Sequence, residues 1–207
     1  MIDPRFYESL GAVSARALAA GLDVGGDADR LVLGVAAAEE AGPQDLCYLE
    51  RPNAVLTRAP GACILPVGQA RFAPKAAALI FSDHPRATFA RLAPRLARPR
   101  SHEGMALIHV SARLETDVRL APGVVIGPDA EIGAGVEIGA NSVIGPGVAI
   151  GRRTRIGAGV LIQCALIGDD VHILAGAVIG EQGFGVAVEG GALADMPHLG
   201  RVIVQDR

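Results

Sequence analysis

The chain has 207 residues, half of them hydrophobic, with 27 glycines, no Trp and a formal net charge of −3. That length fits one large domain or two small ones. The mild charge creates no electrostatic demand for nucleic acid, and the scarcity of aromatics favours a narrow core of small and branched aliphatics over an ordinary sandwich. The longest apolar run, Ala76 to Phe81, is far too short to cross a bilayer. The start of the chain carries Asp3 and Glu8 and lacks the apolar stretch of a signal peptide. Cys47, Cys63 and Cys164 are odd in number and show neither a CxxC pair nor zinc spacing. They read as reduced, buried thiols, which suits a cytoplasmic protein.

In chain order, residues 3–20 read as a helix, with Asp3 as cap, Pro4 at the first helical position and Gly21 as the stop. Short strands are predicted at Leu31 to Val35, Cys47 to Leu49, Ala62 to Pro66 and Ala77 to Phe81. Phe89, Leu92 and Leu96 keep helical spacing within 84–97, and Pro94 predicts a break there. The arginines at 86, 91, 95, 98 and 100 read as a solvated helix face, or as a patch for a phosphate or an acidic partner. A linker is placed at 98–106, where Pro99, Ser101 and Gly104 interrupt the pattern. This divides the chain into a small α/β domain, 1–100, and a second domain, 106–207.

The second domain is governed by a repeat. Aliphatic residues recur every six positions from Ile108 through Leu114, Leu120, Ile126, Ile132, Ile138, Ile144, Ile150 and Ile156 to Ile162. The period slips by one and resumes at Ile167, Ile173 and Ile179. A second series of small or β-branched residues lies four residues after each aliphatic; Val124, Ala130, Val136, Ser142, Val148, Thr154 and Val160 belong to it, and it runs on to Gly183. On a helix, six residues rotate by about 240°, and the aliphatics would scatter over three stripes. On a strand, offsets of four and six are both even, so both series face one side.

Gly follows most of the aliphatics, and Asp129, Gly135, Asn141, Gly147 or Gly159 comes two residues later. These supply corners where φ can turn positive. Each unit is thus a short strand plus a corner, and three units close a triangular coil of about 18 residues with strands roughly 4.8 Å apart. The run gives a little over four coils, and the slip between Cys164 and Ile167 predicts a bulge or a tightened corner. This pattern resembles the hexapeptide-repeat acyltransferases. The resemblance implies a left-handed parallel β-helix after the small α/β domain, against the usual right-handed crossover.

Two stretches narrow the resemblance: Gly180-Glu-Gln-Gly-Phe-Gly-Val-Ala187 and Met196-Pro-His-Leu-Gly-Arg-Val-Ile-Val204. Together they look like the insertion of the UDP-3-O-acylglucosamine N-acyltransferases of lipid A biosynthesis, here near 181–200. Residues 34–54 and 77–92 resemble that family's N-terminal domain. The resemblance implies transfer of a 3-hydroxyacyl chain from acyl carrier protein to the 2-amino group of UDP-3-O-(3-hydroxyacyl)glucosamine. It implies a homotrimer with sites between neighbouring prisms, a histidine as general base, no cofactor and no metal.

The resemblance places that histidine on coils beyond Arg207. His84, His102, His109, His172 and His198 do not match its position, so no catalytic residue is assigned in this chain. His109 fits the opening corner of the prism and reads as structural, and His172 as a surface residue. The family's uridine site uses an aromatic, an Asn and a Tyr at spacings of three. Tyr48 matches the first, while Arg51 and Ala54 occupy the other two positions, with Asn53 out of register. Tyr48 is then either a stacking platform for uracil or a strand residue packed into its own domain. Phe184 is either the lining of an acyl groove or a loop anchor, and His198 is a candidate substrate contact in the insertion.

Three alternatives stay open: another hexapeptide sugar acyl- or acetyltransferase, a non-catalytic trimeric scaffold, and a metal-dependent prism enzyme, which would need histidines converging between subunits. A prism ending at Arg207 is also expected to expose strand edges and to fray beyond about residue 180.

Overall fold

The computed structural model describes residues 2–51, 55–101 and 106–207. They form two compact units. One comprises residue 2 and 7–98 with 183–199; the other comprises 3–6, 99–182 and 200–207.

The first unit contains β1 (Tyr7–Ser9), β2 (Val13–Ser14), α1 (Ala15–Ala19), β3 (Val24–Gly26), β4 (Leu31–Val32), β5 (Gly34–Val35), β6 (Asp45–Tyr48), β7 (Ala62–Leu65), β8 (Ala78–Phe81) and α2 (Pro85–Leu92). A five-stranded sheet runs in the order β3-β8-β7-β6-β5, with only β3 antiparallel. Its central strand β7 is buried throughout, on both faces, as a parallel strand covered on each side requires. Leu46, Ile64 and Ile80 pack with Leu18 of α1 and with Phe89 and Leu92 of α2. Cys47, Cys63 and Leu65 point the other way, into a cluster with Ala38, Leu56 and Ala73. Cys47 and Cys63 are in register on β6 and β7. Their hydrogen bond, reinforced by burial, pushes the Cys47 thiol far above its ordinary range and leaves it protonated and unreactive.

The long N-terminal helix expected over 3–20 is absent. Asp3 closes a turn instead: its carbonyl accepts from Phe6 N at 3.1 Å, and its Oδ1 accepts from Arg5 N at 3.0 Å. Residues 7–9 form β1, Gly11 takes φ +96°, and only 15–19 are helical. A left-handed residue at 11 ends any helix begun upstream. The cap is Ser14, whose hydroxyl accepts from Ala17 N at 3.3 Å. The strand expected at Leu31 to Val35 is broken at Leu33: Gln44 O accepts from both Leu33 N and Gly34 N, so β4 pairs with β2 and β5 with β6. α2 gives way to a 3-10 turn at Ala93–Arg95, where Pro94 removes a donor.

The second unit is a left-handed parallel β-helix of two- and three-residue strands in three walls. One wall stacks Arg113–Leu114, Glu131–Ile132, Ala149–Ile150, Ala165–Ile167 and Val202–Val204. The second stacks Arg119–Leu120, Glu137–Ile138, Arg155–Ile156 and His172–Ile173, and the third Val125–Ile126, Val143–Ile144, Leu161–Ile162 and Val178–Ile179. Ile126, Ile132, Ile144 and Ile162 are fully buried along the axis.

The two glycine classes do different work. The residue three after each aliphatic, such as Asp129 at φ +56° or Gly147 at φ +67°, carries the left-handed corner. Of the glycines directly after an aliphatic, Gly180 turns positive, where the chain leaves the walls; the others, from Gly127 to Gly168, do not, contrary to the expectation from sequence. At Gly139 a β-carbon would lie 2.5 Å from Ala158 N in the next coil. It is the approach of stacked backbones that excludes a side chain there.

Ser142 and Thr154 stand inside the prism with no exposed surface. Ser142 Oγ donates to Gly157 O at 2.8 Å and accepts from Val160 N at 3.1 Å. Thr154 Oγ1 does the same for Gly168 O at 2.9 Å and Val171 N at 3.0 Å. Each hydroxyl stitches its coil to the following one. Ser142→Ala is therefore expected to cost about 1–3 kcal/mol by stranding a buried carbonyl and amide, read as a lower unfolding midpoint in urea. An unchanged midpoint would show that those groups find other partners.

The slip in the repeat is a tightened corner. Glu131 pairs with Ala149, eighteen residues on, whereas Ala149 pairs with Leu166, one residue fewer, and Cys164 absorbs the difference at φ +42°. After Ile179 the chain leaves the walls through Gly180, at φ +75°, so Gly183 does not continue the inward series. Val186–Glu189 and Ala192–Asp195 form an antiparallel hairpin. Val202–Val204 then re-enters the first wall beside Ala165–Ile167.

Candidate functional site

In the first unit, the chain leaves β5 and β6 at their carboxyl ends and forms two adjacent loops. In open α/β sheets this is where ligands are held. Between the loops lies a cleft of about 560 Å³, bordered by Glu39, Tyr48, Glu50, Arg51, Val55 and Thr57. Tyr48, the last residue of β6, is half-buried. Its ring lies 5.0 Å from that of Phe89, tilted by 40°. It thus belongs to the core beneath α2 and also forms part of the cleft. Arg51 is exposed and has no ion-pair partner among the described residues. The cleft therefore joins an aromatic and a guanidinium with two carboxylates. Asn53 and Ala54 lie outside the described residues.

Phe184 and His198 lie together in the same unit. The Phe184 ring is fully exposed, at 101%. It is the apex of a tight turn in which Gly185 N donates to Gly183 O at 3.0 Å, and the next rung is Met196 N to Gly185 O at 2.8 Å. His198 is held from the other side: the Tyr7 hydroxyl donates to its carbonyl at 3.0 Å. The hairpin that follows packs Ala187 and Ala194 against Ala87 and Ala90 of α2. It is also tied by Arg91 to Glu189 at 3.1 Å.

The remaining described histidines do not join these groups. His84 precedes α2, and its amide donates to Ser82 Oγ at 3.1 Å. His172 is exposed on the second wall beside Arg155. His109 Nδ1 lies 2.9 Å from Ser111 Oγ, which also accepts from Asp129 N at 2.9 Å. The Arg100 guanidinium, 2.6 Å away, holds the Asp129 carboxyl below the usual range, with help from the Ser111 hydroxyl. Here Asp129 engages the serine and the arginine, so the cluster fastens the first corner rather than forming the Ser-His-Asp order of a nucleophile. His102 lies outside the described residues, and among those described no three His, Cys, Asp or Glu side chains group as metal ligands.

Sequence reasoning missed the Glu39, Glu50 and Thr57 sides of the cleft. The available signal was the pair of neighbouring strand ends, which becomes visible only once β5 and β6 are known to be adjacent. It also missed the contact between His198 and the Gly183–Gly185 turn, whose partners are thirteen or more residues apart in sequence.

The walls and corners define a bacterial hexapeptide-repeat transferase fold: that family model, described as six hexapeptide repeats, matches 111–146 and 129–164. A second model, described as UDP-3-O-(3-hydroxymyristoyl) glucosamine N-acyltransferase, LpxD, matches residues 29–94. The chain is 48% identical over its whole length to a UDP-3-O-acylglucosamine N-acyltransferase of Caulobacter sp. (strain K31). It is 42% identical to that of Caulobacter vibrioides and 40% identical to that of Maricaulis maris, again over its whole length. It spans 63% of the length of each of these relatives. The chain thus carries a domain matched by the model of that N-acyltransferase family together with hexapeptide repeats, and it is similar over its whole length to proteins named UDP-3-O-acylglucosamine N-acyltransferase. Among the described residues no helix is long and apolar enough to cross a membrane.

Proposed function

We propose that the protein is an N-acyltransferase of lipid A biosynthesis in the cytoplasm. It moves a 3-hydroxyacyl chain from acyl carrier protein to the 2-amino group of UDP-3-O-(3-hydroxyacyl)glucosamine. In this reaction the amine nitrogen bonds to the thioester carbonyl carbon, the carbon–sulfur bond breaks, the carrier thiol leaves, and a base takes the amine proton. The observation that carries this reading is the match of the whole chain to relatives of that name.

Within the reading, residues 1–100 are the uridine-binding domain and 106–207 the prism, with the insertion near 181–200. Tyr48 stacks on uracil in the cleft, and Arg51 faces the diphosphate across from Glu39 and Glu50. Asn53, Phe184 and His198 are further substrate contacts, Phe184 against the acyl chain. The third wall supports a homotrimer. Its outward residues Val125, Val143, Leu161 and Val178 form one apolar column, while the second wall turns out Arg119, Glu137, Arg155 and His172. An apolar face beside charged ones suits contact between subunits. No histidine of these 207 residues is assigned as the base.

The test is mass spectrometry of the sugar nucleotide after incubation with 3-hydroxyacyl carrier protein or with acetyl-CoA. The expected outcome for the 207-residue chain, in which no base is assigned, is binding without turnover; any transfer is expected to add one 3-hydroxyacyl group and no acetyl group. Acetylation would indicate the acetyltransferase alternative. Transfer by the 207-residue chain above a heat-killed control would overturn the expected absence of turnover.

A further inference from the structure

The two glycines beside Phe184 have no positive φ to explain them; neither Gly183 nor Gly185 is among the left-handed residues. What excludes a side chain at 183 is His198. A β-carbon on Gly183 would collide with Cε1 of the imidazole and lie 3.0 Å from both ring nitrogens. One on Gly185 would lie 3.4 Å from Nε2 and from Met196 Cβ. The imidazole therefore fills the concave side of the Gly183-Phe184-Gly185 turn. Its backbone is fixed by the buried Tyr7, whose hydroxyl holds the His198 carbonyl at 3.0 Å. With that space occupied by the imidazole, Phe184 does not lie back over its glycines, and its ring stands wholly in solvent. A fully exposed ring forgoes the burial that an aromatic ordinarily gains.

We propose that His198 is a positioning residue: its ring, seated on the glycine turn, props Phe184 outward as an aromatic contact for the aliphatic acyl chain of the donor. This rests on the reading that the protein handles long acyl chains. The role is one of shape, and it takes the place of the direct substrate contact read for His198 above. The sequence holds no Trp, so Phe184→Trp supplies a single fluorophore at the turn. Its emission is expected to be that of a water-exposed indole, readily quenched by acrylamide. Adding His198→Ala opens the space on the glycines. The indole is then expected to fold back, with a blue shift and reduced quenching. His198→Phe, which restores a flat ring, is expected to keep it exposed. 3-Hydroxymyristoyl pantetheine is expected to shift the emission of Phe184→Trp, and His198→Ala to weaken that binding by about 3- to 10-fold. Acetyl pantetheine should do neither.

An unchanged emission on adding His198→Ala, with the thermal unfolding of the variant intact, would overturn the positioning role. Absence of any response to 3-hydroxymyristoyl pantetheine would overturn the acyl contact. Failure of the broader reading is separately visible as absence of UDP binding by the unsubstituted chain.

Discussion

Tyr48→Ala is expected to weaken UDP binding by about 10- to 100-fold. Stacking of a base on one aromatic is worth about 1–3 kcal/mol, and among the described residues Tyr48 supplies the one ring at the border of the cleft. Tyr48→Phe keeps the ring and is expected to bind within about twofold of the unsubstituted chain. The comparison is needed because the same ring packs on Phe89, so the alanine variant also loosens the core beneath α2. A folded Tyr48→Ala protein that bound UDP normally by calorimetry would remove Tyr48 from the nucleotide site and leave it as a packing residue. Arg51→Ala provides a second reading at the same place: it should lower affinity for UDP more than for uridine, and the difference should shrink with salt, because a guanidinium acts on the diphosphate at the protein surface.

The larger effect is expected in the prism. Ile144 is fully buried between Ile126 and Ile162 in the third wall. Ile144→Asp places a carboxylate on the axis with no cation to meet it, at a cost of several kcal/mol. Set against a total stability of about 5–15 kcal/mol for a domain, that is expected to abolish the cooperative unfolding transition of the prism. Val143→Asp, one residue earlier on the same strand, faces outward and should leave the transition in place. In the proposed trimer it puts a charge into the apolar column, and sedimentation is expected to show a monomer. Equal effects of the two substitutions on folding would contradict the alternation of inward and outward residues on which the three walls depend.

The contrast between neighbouring residues also explains what was legible in the sequence. A period of six admits no helical solution, and its even spacing permits one strand face. Ile126 to Ile162 therefore specify the walls before any tertiary contact is considered. The opening of the chain has no such redundancy. Asp3, Pro4 and Gly21 are good helix punctuation, but the choice was made by Gly11 in the left-handed region and by the pairing of Tyr7–Ser9, neither of which leaves a local signature. The same division runs through the candidate site. Tyr48 was visible because one aromatic at a strand end matches a known pattern. The cleft around it depends on which strands are neighbours, and the seat of His198 depends on a hairpin bringing distant residues together. Glycine after an aliphatic is legible as a corner element, and Gly180 is one; at the others, such as Gly139, the clash that requires glycine is with the next coil.

The hairpin has a consequence for how the last coil is completed. Between Ile179 and Val202 the chain must return to the wall it left, and closing so long a flexible segment costs entropy that grows with its length. Pairing of Val186–Glu189 with Ala192–Asp195, extended by the Met196 to Gly185 bond, brings the two stems of the excursion together locally. The search then reduces to a few free residues on either side. The expected order of assembly is the hairpin first, with Val202–Val204 docking on Ala165–Ile167 afterwards. Lesions in the hairpin should therefore slow the maturation of this rung even though they lie outside it.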